Sequence, residues 1–207
     1  MKIRESARTV RVIGTLAALV LVIVTLLAQV PKLENTIKTG DSEIHRLRVA
    51  DQDDRRGLIS KSKDEWDELG RRDSIRLKRA KEIYQSGGLV TAGDYFDAAL
   101  ILQHGSTPDD YLLAHVLCTV AVVKGDTDAA WLSAATLDRY LQSIQRKQIF
   151  GTQYDGDETK GYTYEPYDGS LLTDSVRKAV RVPTREEQQK DLQNLNKRIF
   201  HNQGGVW

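Results

Sequence analysis

Residues 111–124, YLLAHVLCTVAVVK, carry one polar-free turn after another: only His115 and Thr119 interrupt the apolar run before Lys124. A helix that is apolar nearly all round belongs in the middle of a core, so this segment sets the fold as helical and other helices must flank it. Ser106-Thr107-Pro108-Asp109-Asp110 reads as its entry and Gly125-Asp126 as its exit turn. Downstream, Ala129, Trp131, Leu132, Ala135, Leu137, Tyr140, Leu141 and Ile144 recur at helical spacing over 128–145. Upstream, Thr91 or Asp94 caps a helix over 95–103 with Phe96, Ala99 and Leu100 as its stripe, closed by His104-Gly105. Short connections between such helices predict antiparallel hairpins.

Further out the signals weaken. Residues 64–85 space Trp66, Leu69, Ile75, Leu77, Ala80, Ile83 and Tyr84 helically before Gly87-Gly88, and their basic cluster, Arg71 to Lys81, is expected as a solvated face rather than a nucleic-acid surface. Beyond Arg146, segments 148–154 and 161–167 hold β-branched and aromatic residues around the turn-rich 155–160, which predicts a small β-hairpin or paired extended segments near 148–167. Thr184-Arg185-Glu186-Glu187 is a capping box opening a last polar helix to about Phe200.

The N-terminus has a different character. From Val12 to Pro31 no residue is charged, and 20 residues of helix cover about 30 Å, the hydrocarbon thickness of a bilayer. Lys2, Arg4, Arg8 and Arg11 against Glu5 precede it, so the tail is expected in the cytoplasm and the rest of the chain outside the cell membrane. A cleaved secretory signal shares that polarity; the long apolar run and Leu26, third residue back from a cut after Ala28, favour a retained anchor. The expected organisation is a cytoplasmic tail (1–11), a transmembrane helix (12–31), a linker with a polar, solvated juxtamembrane helix (32–63) and an extracytoplasmic helical domain (64–207). The fold class is therefore mainly α. The lipid bilayer is the one partner this reading implies, beside a protein or small molecule of unknown identity.

Composition narrows the function. With 30 Lys and Arg against 29 Asp and Glu, the 207-residue chain has a net charge of +1, which lacks the footprint of a dedicated nucleic-acid binder. One cysteine, Cys118, forbids an intramolecular disulfide. His115 stands three residues from it, but catalytic Cys and His come from separate elements, so Cys118 is expected as a small buried residue. Asp155, Asp157 and Glu158 are out of register for a calcium loop, and no cofactor or metal is expected. Phosphate loops, paired cysteines, HExxH and nucleophile elbows are missing from the sequence.

What remains is a polar set beside apolar sequence: Gln103, His104, His115, Asp138, Arg139, Gln148, Thr152 and Gln153. Buried polar groups need partners, so the set is either an internal network or a pocket lining. In the first case Asp138 and Arg139 tie the bundle to Gly151-Thr152-Gln153, with His104 as a favourable cation at a helix C-terminus. In the second, His104 is a general base or ligand donor oriented by Asp138, and Gln103, Arg139, Gln148, Thr152 and Gln153 contact an anionic or amide-bearing ligand, which makes an anchored hydrolase the alternative to a binding or interaction domain. A third reading, an assembly factor, requires an exposed apolar patch.

Two resemblances accompany these residues. Lys124-Gly125-Asp126-Thr127-Asp128-Ala129-Ala130 resembles the turn of tetratricopeptide or Sel1-like repeats, yet the surroundings of Ala98-Ala99 and Ala134-Ala135, 36 apart, do not repeat. Leu102-Gln103-His104-Gly105, Asp138-Arg139 and Gln148-x-x-Gly151-Thr152-Gln153 together resemble an uncharacterised bacterial domain-of-unknown-function family, over roughly Asp51 to Asp174 and including an acidic-to-Arg opening at Asp51 to Arg55. Phe150 matches that family's aromatic before the Gly, whereas Gln145 stands where its members often carry Gly. The resemblance implies a fold and a motif set but no reaction.

Overall fold

A computed structural model describes residues 43–56, 62–157 and 159–203, all inside a unit that runs from Ile37 to Trp207. The expected membrane segment lies outside the described residues. Among these, no helix is long and apolar enough to cross a membrane.

Seven helices and one two-stranded antiparallel sheet are described: α1 (Glu43–Asp54), α2 (Lys63–Gln85), α3 (Ala92–Leu102), α4 (Pro108–Val123), α5 (Ala129–Ser143), β1 (Asp155–Asp157), β2 (Gly161–Thr163), α6 (Asp174–Ala179) and α7 (Arg185–Gln203). Caps explain the sharp starts. Ser62 with Glu65, Thr91 with Asp94 and Thr107 with Asp110 form reciprocal capping boxes, so Thr91 is the cap and Asp94 its N3 partner. Thr184 and Glu187 exchange the same bonds at α7.

α4 packs against both α3 and α5. The main core is alanine-rich, with Ala98, Ala99, Ala114, Ala121 and Ala129 beside Ile101, Leu102, Leu117, Cys118 and Leu132; small side chains let the helices approach closely. Cys118 is fully buried, and burial pushes its thiol up to about 12. His115 bonds instead to the Ser133 carbonyl at 2.9 Å. A second, smaller core gathers Ala134, Phe150 and Val182. α5 thus serves both cores, with Leu132 in one and Ala134 in the other.

Three expectations are refined. α1 is not wholly solvated: Ile44 and Asp51 are each 1% exposed and α1 packs on α2 and α3. The basic cluster of α2 is solvent-facing at Arg71, Lys78 and Arg79, as expected, yet its guanidiniums are not unpaired. Its guanidiniums pair with carboxylates: Arg72 and Arg76 with Asp54, Arg79 with Glu43, Arg71 with Glu68, while Lys81 pairs with Asp110. Trp66, Ile75 and Tyr84 point outward, and the buried line of α2 is Leu69, Arg76 and Ala80. The hairpin is shorter and displaced, with Asp155 opposite Thr163 and Asp157 opposite Gly161. Residues 148–153 are committed elsewhere, and of the longer pairing only a bridge between Gln148 and Tyr167 forms.

Gln145 sits at φ 60, the left-handed conformation that glycine adopts freely. It follows α5 and lets the Arg146 amide bond back to the Leu141 carbonyl at 2.8 Å, a helix-terminating turn. Gln145→Gly is expected to raise stability by about 0.5–1 kcal/mol in urea denaturation, because the replacement removes the Cβ strain; an unchanged or lowered midpoint would contradict it.

Candidate functional site

Asp138 lies on the buried face of α5 with no exposed surface. One carboxylate oxygen accepts the amides of Ile149 (2.9 Å) and Phe150 (3.0 Å); the other accepts the amide of Thr152 (2.9 Å) and its hydroxyl (2.8 Å). A carboxylate offers about four lone-pair sites, so Asp138 is saturated. It shapes the 149–152 backbone and has no capacity left to orient an imidazole. Gly151, at φ 68, gives that loop its bend, and a Cβ there would meet the Gln188 side chain at 2.9 Å.

Gln148, also fully buried, pairs with the next strand of chain like a piece of sheet. Its oxygen accepts the Gln153 amide at 2.8 Å, and its nitrogen donates to the carbonyls of Gln153 (2.9 Å) and Tyr164 (2.8 Å). Gln153 in turn donates to Ala135 O and Thr152 Oγ1, both at 3.1 Å, and accepts from Arg139 Nε at 2.7 Å. Arg139 completes the chain by donating to the Gln103 carbonyl at 2.8 Å. Both of these Arg139 bonds go to neutral oxygens, and burial, with Arg55 adding to it, pulls the guanidinium below its ordinary range. Gln103, Asp138, Arg139, Gln148, Thr152 and Gln153 therefore do converge, as one closed hydrogen-bond network.

His104 stands apart from Asp138's network. Its Nε2 is buried without a hydrogen-bond partner, 3.6 Å from Asp51 Oδ2. Burial first, then Arg55 and Arg139, drives its pKa down to about 3. The expected cation at a helix C-terminus is thus a neutral imidazole, because desolvation and neighbouring guanidiniums outweigh the helix dipole. An imidazole with so little affinity for protons is a poor general base at neutral pH.

Sequence reasoning missed the charges around it. Asp51 accepts from Arg55 Nη1 and Gln52 Nε2, each at 2.8 Å, and faces Arg76 Nε at 3.7 Å. Arg55 and Arg76 both reach Asp73, and Arg76 also reaches Asp54 at 2.6 Å. Burial raises the pKa of Asp51 against the pull of Arg55. A signal existed: Leu69, Asp73, Arg76 and Ala80 follow 4-3-4 spacing, which puts two charges on the apolar line of one helix. Likewise missed was Arg177 of α6, wholly buried and donating to Pro183 O, Tyr167 Oη and Gln188 Oε1 at 2.8–2.9 Å.

Asp157 closes the hairpin turn by accepting from the amide and hydroxyl of Thr159 and the amide of Lys160. No family model, curated protein or solved structure matches this chain.

Proposed function

We propose that the chain is a single-pass membrane protein, anchored through residues 12–31 with its N-terminus in the cytoplasm, that presents an extracytoplasmic bundle of antiparallel helical hairpins for binding another protein. The observation that carries the binding role is the outer face of α4. Leu112, Val116 and Val123 are 37%, 47% and 83% exposed on a helix without a charged residue from Tyr111 to Val123. A helix apolar nearly all round that leaves one face exposed presents the kind of surface that marks a protein contact site.

The polar residues that would serve a hydrolase support the same choice. Asp138, Gln148 and Gln153 spend their bonding capacity on the chain itself, and His104 faces Asp51. Membership of the bacterial family that the motifs resemble is part of this proposal. Gln145's left-handed backbone, at the position where that family often carries Gly, supports it.

Two measurements test the reading. Alkaline carbonate should leave the whole chain in the membrane fraction; release would refute the anchor. A photo-crosslinker, p-benzoylphenylalanine, placed at Val116 in intact membranes should yield a discrete higher-mass species, while the same group at exposed Lys190 should not. Loss of the species at Val116 would refute the binding role.

A further inference from the structure

Hydrogen bonds close the network around Asp138, but charge does not balance in it. Among the described residues, five other arginines are buried or half-buried, and each has a carboxylate oxygen within 4.0 Å: Arg48 with Asp97, Arg55 with Asp51, Arg72 and Arg76 with Asp54, and Arg177 with Asp174. Arg139, half-buried on α5, has none among the described residues. Of the five N–H donors of a guanidinium, its bonds to Gln153 Oε1 and the Gln103 carbonyl use two. The second N–H of Nη1 and both of Nη2 have no partner among the described residues. The sealed side-chain atoms that lack a bond there are Arg76 Nε, His104 Nε2 and Asp110 Oδ1, so Arg139 Nη2 is open to solvent.

The surroundings supply little negative charge. Asp51, Asp54 and Asp73, on α1 and α2, are already paired with Arg55, Arg72 and Arg76. Asp138 has both oxygens occupied by residues 149–152. The end of α3, where the Gln103 carbonyl sits, offers about half a charge through its dipole. Arg55 meanwhile repels the guanidinium, and burial strips it of water. A charge taken out of water without a counter-ion is costly, yet the fold holds this one rigidly, since Gln153 is itself fixed by its bonds to Ala135 O and Thr152 Oγ1. Donors held in place in this way favour a ligand that supplies the missing charge.

The fork of a guanidinium matches a carboxylate, which accepts two parallel N–H···O bonds. A surplus of one positive charge or less neutralises a singly charged anion and falls short of a dianionic phosphate. We infer that Arg139, held by Gln103 and Gln153, is the binding residue for a carboxylate carried by a ligand. The carboxylate belongs either to a small organic acid or to an acidic residue of the bound protein. The site goes beyond the binding role proposed above and does not depend on the apolar face of α4.

The test uses the full chain in lipid nanodiscs, with sodium acetate as the probe and sodium chloride of equal ionic strength as the reference. Acetate at about 100 mM should raise the melting temperature by about 2 °C over chloride, the shift expected of a dissociation constant on the order of 50 mM. Arg139→Gln should show no difference between the two salts, whatever its own melting temperature. Acetate should also shift the Arg139 Nε–H resonance of the wild type saturably in nitrogen-15 spectra, which carries the test should Arg139→Gln fail to fold. Equal rises in the wild type and Arg139→Gln, an Nε–H resonance that does not move, or a larger rise with inorganic phosphate overturns the inference. The crosslinked product at Val116 tells the two sources apart: a tenfold loss in Arg139→Gln assigns the carboxylate to the bound protein, and an unchanged yield assigns it to a small acid. Absence of any product in the wild type sinks the binding role and leaves the carboxylate site standing on the acetate result.

Discussion

Replacing Asp138 by Ala is expected to cost about 3–5 kcal/mol, a large share of the roughly 5–15 kcal/mol that holds a domain of this size. The reason lies in what is left behind. Ile149, Phe150 and Thr152 would keep three amide donors and a hydroxyl directed at a buried space from which their acceptor has gone. Each such buried donor carries a penalty of about 1–3 kcal/mol, moderated where water enters the vacated volume. Asn is an informative second variant. It retains one acceptor oxygen but turns an NH2 group toward either the Ile149–Phe150 pair or Thr152, so an intermediate loss is expected. Urea denaturation of both variants measures it. A wild-type midpoint for Asp138→Ala would show that the carboxylate serves something other than the fold.

The second large effect is a loss of stability on mild acidification that belongs to one imidazole. In the folded chain His104 stays neutral until about pH 3, whereas in the unfolded chain it takes a proton at its ordinary pKa near 6.5. Between those values the unfolded state binds the extra proton, so stability falls as pH falls, by about 1.4 kcal/mol per unit. From pH 6.5 to 4.5 the loss is about 2–3 kcal/mol. Carboxylates held down by hydrogen bonds, such as Asp157 by Thr159 and Asp174 by Arg185, join in only below about pH 4. Asp51 works the other way: burial raises its pKa, so it takes up its proton more readily folded than unfolded. His104→Gln leaves that carboxylate in place and removes the imidazole. Its urea midpoint is expected to be nearly flat across the window in which the wild type declines. Parallel curves for the two proteins would refute the assignment.

What could be read from the residues divides along a physical line. α2 to α5 announce themselves through their apolar positions and α3, α4 and α7 through their caps, because local bonding decides where a helix starts and burial decides which positions are apolar. α1 was expected as a helix but not as a packed one, since carboxylates and guanidiniums hold much of it in place, and charges at helical spacing look like solvent exposure when read singly. Segment 148–154 has the composition of a strand, yet a carboxylate on α5 takes its amides first. Six of the eight polar residues were legible as a set, His104 and His115 falling outside it, and the closing bonds were not: nothing in the text of Asp138 says that all four lone pairs go to residues 149–152. Arg177 was missed outright. A six-residue helix has too little periodicity to show that one of its charges is inside.

The reach of the Asp138 bonds along the chain also orders assembly. All four donors lie 11 to 14 residues from the carboxylate, and the Gln148 bonds to Gln153 span 5. By contrast, Gln188 reaches the Phe150 and Gly151 carbonyls across 38 and 37 residues, and Asn196 reaches Tyr162 across 34. Closing the longer loops first would cost about 1 kcal/mol more in chain entropy for each contact. The Asp138 loop is therefore the cheaper one to close, and the contacts of α7 gain from its being in place, since they meet carbonyls that the carboxylate has already positioned. Every Asp138 bond lies within residues 138–152, so none of them depends on α7, whereas the contacts of Gln188 and Asn196 do.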